Sequence, residues 1–84
     1  MSDYYFLYRI DENAEAEIYA KFPSLQMAKL SASLLMISDI CFILSGDMSK
    51  IYFYNQQDGW EYDVLTERGK EEFLEIYPNP KDYK

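Results

Sequence analysis

The chain has 84 residues, 49% hydrophobic and 18% aromatic, which suits one thin-cored domain and excludes a disordered chain. Fifteen acidic against eight basic residues give a net charge of −7, which disfavours nucleic acid or anionic membrane as a direct partner. That charge favours a basic protein surface, or it serves solubility alone.

In chain order, "MSDYYFLYRI" lacks the basic start of a secretory leader. Within it, residues 4–10 read as a strand, with Tyr4, Phe6, Tyr8 and Ile10 on one face and Tyr5, Leu7 and Arg9 on the other. "DENA" is a turn. Residues 15–22 alternate strictly: Ala16, Ile18, Ala20 and Phe22 point one way, Glu15, Glu17, Tyr19 and Lys21 the other. The pattern predicts a second strand in a hairpin with the first, although the Ala and Glu content also permits a helix. Pro23 stops that strand, and Ser24 is positioned to cap a helix over residues 25–38. Its polar stripe, Gln26, Lys29 and Ser33, is narrow, so more than one side of the helix must be covered. The sheet covers one side; the C-terminal helix or a second copy of the chain is expected to cover another.

"ICFILS", residues 40–45, predicts a buried strand. The only cysteine, Cys41, lies in it, reads as a core residue, and implies a reducing, cytoplasmic setting. "GDMS" turns the chain into "KIYFYN", residues 50–55, and "QQDG" turns it again, with Gly59 free to take a positive φ. "WEYDV", residues 60–64, alternates, with Trp60, Tyr62 and Val64 inward and Glu61 and Asp63 outward. Thr66 caps a last helix that Pro78 and Pro80 end near Tyr77, leaving residues 78–84 as a loose tail. The order β-β-α-β-β-β-α predicts a single α+β domain, a mostly antiparallel sheet of about five strands with both helices on one face. The most apolar stretch, residues 25–44, is interrupted by Gln26, Lys29, Ser31, Ser33, Ser38 and Asp39 and is too polar to span a membrane.

There is no histidine, so the commonest general base and nitrogen metal ligand are missing. "SGDMS" lacks the length and the lysine–hydroxyl ending of a phosphate loop, and the carboxylates follow no calcium-loop spacing. No cofactor or metal is called for. A carboxylate pair could in principle act as acid and base, but so small a domain has little room for an enclosed pocket, and a non-enzyme is expected.

The acids carry more information. On a strand Glu15 and Glu17 share a face about 6.6 Å apart, as do Glu61 and Asp63. On the last helix Glu67, Glu71 and Glu75 fall in one line, a repulsion that Arg68 can offset through Glu71 or Glu72. Alone, such a line is a solvated helix face. Asp58, the Glu61/Asp63 face and the Glu67/Glu71/Glu75 line are consecutive, however, and are expected to form one patch that attracts a basic protein. Glu15, Glu17 and Tyr19 join them as partner-binding candidates. Tyr19, Tyr52, Tyr54 and Tyr77 are candidates for apolar anchors, or else core residues.

Residues 51–77 resemble the wing and C-terminal helix of winged-helix domains, with Leu65, Thr66 and Gly69 matching a Leu-Thr-x-x-Gly helix start. This implies a winged-helix-like transcriptional regulator; with an acidic wing, it implies a protein-binding version. In its size, acidity, tyrosine content and lack of catalytic groups the chain also resembles small bacteriophage inhibitors and DNA mimics. That resemblance of type implies a non-catalytic inhibitor of a basic, nucleic-acid-handling protein of the host: a defence nuclease, a toxin or a polymerase. It would act in the host cytoplasm, by electrostatic mimicry or steric blocking. A third reading is a small structural or assembly protein that dimerises through the 25–38 helix.

Overall fold

The computed structural model describes residues 4–83; Met1–Asp3, part of the N-terminal reading, and Lys84, part of the expected tail, lie outside them. The elements run β1 (Tyr5–Ile10), β2 (Ala16–Phe22), α1 (Leu25–Leu35), β3 (Ile40–Ser45), β4 (Lys50–Asn55), β5 (Gly59–Val64) and α2 (Glu67–Ile76), followed by a 3₁₀ turn at Pro80–Asp82. The five strands form one antiparallel sheet in the order β2-β1-β3-β4-β5. The α+β class and the strand count therefore hold.

Both faces of the central strands are apolar. Phe6, Tyr8, Phe42 and Leu44 project to one face and pack with Phe73 of α2. Leu7, Cys41 and Ile43 project to the other and pack with Ala28 and Ala32 of α1. The helices thus lie on opposite faces, not on one as expected. The reason is that β1 and β3 carry large apolar groups at both parities, and one helical layer would leave half of them in water. Tyr8, Leu7, Ile43 and Leu44 are completely buried at the crossing of these layers. Ala28 and Ala32, equally buried, let α1 approach the sheet closely.

β2 contains a bulge. Leu7 pairs with Ala20 and Tyr8 with Ile18, so Tyr19 is the extra residue. An extra residue shifts the two-residue period by one. Ile18 consequently faces the α2 side and Phe22 the α1 side, although strict alternation had placed them together.

Local chemistry sets the ends and turns. The Ser24 hydroxyl accepts from the Met27 amide at 3.2 Å, and Thr66 Oγ1 from the Gly69 amide at 3.0 Å. A Cβ at Gly69 would stand 3.3 Å from that hydroxyl and 3.5 Å from Leu65, so this glycine makes room for the Thr66 cap. Gly59 opens β5 at φ 79°, a conformation that costs glycine little. Residues 78–83, expected to be loose, close the α2-side core instead. Tyr8 Oη donates to the Pro78 carbonyl at 2.6 Å, Pro80 is buried, and the Tyr83 ring meets Phe6 edge-on at 6.2 Å. Two prolines with fixed φ and the Asn79 side chain, which accepts from the Lys81 amide at 2.9 Å, hold the turn.

Candidate protein-binding surface

Across the β4–β5 ladder Glu61 pairs with Phe53 and Asp63 with Ile51. Their carboxylates therefore leave the edge strand on the α2 face, while Trp60, Tyr62 and Val64 leave it on the α1 face. Of that second set, all expected to turn inward, Trp60 is half-buried against the α1-side core, whereas Tyr62 and Val64 are exposed. Helix α1 packs over β1, β2 and β3 and leaves this end of the sheet open.

After only Leu65 and Thr66 the chain enters α2, which lies on the same face as Glu61 and Asp63. Phe73 and Tyr77 turn inward; helical periodicity then turns Glu67, Glu71 and Glu75 outward, and all three are exposed. Lys70 Nζ lies 3.2 Å from Glu67, and Arg68 pairs with Glu72 at 3.2 Å rather than with Glu71. Asp58, Glu61, Asp63, Glu71 and Glu75 have no ion pair among the described residues. Residues 58–75 hold seven acids and two bases, a net of −5.

Glu15, Glu17 and Tyr19 are not part of this group. β2 and β5 are opposite edges of the sheet, about 19 Å apart at the usual strand spacing. Glu17 is engaged by Arg9 at 2.8 Å, and the same guanidinium lies over the Tyr19 ring at 5.5 Å and 3.9 Å from Asp39. That edge is held together by its own cation, whereas the β5–α2 side keeps uncompensated charge.

The tyrosine anchors are also redistributed. Tyr77 belongs to an aromatic cluster, 4.8 Å from Phe73 and 5.1 Å from Phe42. Tyr52 lies across from Tyr62, and Tyr54 across from Trp60, on the α1 face. The apolar groups beside the acids are Leu74 and Ile76, both exposed on α2, and half-buried Phe53 opposite Glu61. The sequence held a signal for the first two: they fall off the inward arc that runs through Lys70, Phe73 and Tyr77.

The described residues include one cysteine, Cys41, and the chain has no histidine. No group of three or more Cys, Asp or Glu side chains is placed to hold a metal ion among them. Burial pushes the Cys41 thiol up to about 11, with Asp39 adding to the effect and Arg9 opposing it, so this thiol is a poor nucleophile at neutral pH. A cleft of about 480 Å³ beside it, at the end of α1, is lined by Met36, Ile37, Asp39 and Tyr54 and is open to solvent. No helix among the described residues is long and apolar enough to cross a membrane. No protein-family model, curated protein or solved structure matches the chain.

Proposed function

We propose that this is a non-catalytic binding protein whose acidic β5–α2 face docks on a basic, nucleic-acid-handling protein and blocks its groove. One observation carries the reading: Glu61, Asp63, Glu71 and Glu75, four exposed or half-exposed carboxylates without ion pairs among the described residues, lie on one continuous segment that turns from an edge strand into a helix on the same sheet face, with Asp58 in the turn before that strand. Strand spacing sets Glu61 and Asp63 about 6.6 Å apart, and helical rise sets Glu71 and Glu75 about 6 Å apart. Such a row of negative charge accelerates encounter with a positive groove by roughly 10–10³-fold at low salt. Leu74, Ile76 and Phe53 supply the apolar contact that exposed charges do not.

The test is affinity capture from the native host's lysate with wild type and with a Glu61→Lys, Asp63→Lys, Glu71→Lys, Glu75→Lys variant. All four positions are surface acids without ion pairs, so the variant is expected to keep the wild-type circular dichroism and melting temperature. The expected result is a basic protein retained by wild type and lost, by at least about 100-fold in affinity, from the variant. Equal retention by both proteins would refute this use of the face.

The winged-helix reading has support in the β4–β5–α2 order and the Thr66 cap alone. A single helix precedes the hairpin, it lies on the opposite face from α2, and the wing carries Asp58, Glu61 and Asp63, which would repel phosphates.

A further inference from the structure

The outward side of α1 is as distinctive as the acidic face, for the opposite reason. Met27, Leu30, Leu34 and Ile37 are 48%, 62%, 74% and 87% exposed. Met27, Leu30 and Leu34, spaced by three and four residues on α1, make one seam pointing away from Ala28 and Ala32, and Ile37, in the turn after α1 ends at Leu35, adds an exposed apolar group beyond its C-terminal end. Gln26, Ser31 and Ser33 border the seam, and the only charge on α1 is Lys29, which turns sideways to lie 5.9 Å over the Trp60 ring. Beside α1, on the same side of the sheet, lies an aromatic shelf in which Tyr52 and Trp60 are half-buried against the core and Tyr54, Tyr62 and Val64 are 48%, 55% and 66% exposed. Lys50, which lies 5.0 Å over Tyr62, is the nearest cation on the shelf.

The geometry points to a second copy of this chain as the occupant, with the α1 seam of each copy seated on the aromatic shelf of the other. Each molecule offers a raised helix over one half of the sheet and an open floor over the other half. Two copies related by a two-fold axis fill each other's floor, with both helices side by side between two sheets. An isologous contact of this kind requires the same chain to carry both complementary surfaces, and this one does. The exposed apolar side chains of seam and shelf present on the order of 900 Å². Summed over seam and shelf, that is comparable to the roughly 800 Å² per partner of a stable interface.

Charge selects the same occupant. A copy docked through the α1 side keeps both acidic β5–α2 faces on the outside of the pair, where repulsion between two −7 chains is least. A basic protein would meet Lys29 and Lys50 here, and Asp39 in the adjoining cleft already faces Arg9 at 3.9 Å; two cations on a chain of net charge −7 are too few to seat α1 on an anionic membrane.

Sedimentation velocity at roughly 50 µM, above the micromolar end of affinities for an interface of this size, tests this directly. Wild type is expected at twice the 10.0 kDa chain mass. Leu30→Glu/Leu34→Glu, in the seam, and Tyr62→Glu/Val64→Glu, on the shelf, are each expected at the mass of one chain. Their circular dichroism should match wild type, because the altered groups are exposed. Mixing the two variants should restore part of the heavier species, since one of the two seam–shelf contacts is then intact. A wild-type monomer, including one that instead co-sediments with anionic vesicles, overturns the proposal, and so does a dimer that survives either variant.

Discussion

Tyr8 in the core and Asp47 in the exposed β3–β4 turn show how single polar groups hold a small fold. Burial raises the Tyr8 phenol well above its ordinary range, so it stays protonated and donates at 2.6 Å to the carbonyl of Pro78, seventy residues away. Tyr8→Phe keeps the ring stack on Phe42 but strands that carbonyl, and is expected to cost about 1–2 kcal/mol in chemical denaturation. Asp47 acts differently. Its carboxylate accepts from the Ser49 amide and hydroxyl at 2.9 and 2.7 Å and from the Ser45 hydroxyl at 2.9 Å. These bonds, led by the Ser49 hydroxyl, lower its pKa to about 2 from the ordinary 3.8. A group whose folded value is depressed stabilises fully above its unfolded value and loses that contribution as pH falls through the folded one. Thermal melts of wild type should therefore drop between about pH 4 and pH 2 more steeply than those of Asp47→Ala, which should already melt lower at pH 7.

At the scale of elements, caps and turns were the most legible features. Ser24, Thr66 and Gly59 act where their chemistry places them, because each satisfies a local backbone need that no distant contact can override. Thr66→Ala is expected to destabilise by about 1 kcal/mol in equilibrium unfolding, since it frees the Gly69 amide. What could not be read was which way elements face once period two fails. The bulge at Tyr19 leaves no mark in a strictly alternating segment, yet it sends Ile18 and Phe22 to opposite sides. In β1 and β3 both parities are apolar, so the sequence says that the strands are buried without saying which helix covers which face. The acidic face divides in the same way. The pairing of Glu61 with Asp63 on one strand face followed from spacing alone. The separation of Glu17 and Tyr19, and their capture by Arg9, depended on strand order.

For the whole molecule, the sheet acts as a partition. On one side stands α1, whose single charge is Lys29; on the other, the β5–α2 segment carries a net of −5. Acids placed for solubility alone would be expected on both sides, yet the outward side of α1 presents Leu30 and Leu34 at 62% and 74% exposure. Under the two proposals these sides do different work: like-to-like apolar association through α1, and attraction of a cationic partner through α2. The two are separable, since the charge-reversal variant leaves the seam untouched and the Leu30→Glu/Leu34→Glu variant leaves the acidic face untouched.

The affinity of the captured basic partner as a function of salt bears most directly on the acidic face. Between roughly 50 and 300 mM salt the account predicts a dissociation constant that rises at least about tenfold for wild type, and a much flatter response once Glu61, Asp63, Glu71 and Glu75 are reversed. A constant that stays level across that range in wild type, or that rises equally in both proteins, would contradict it.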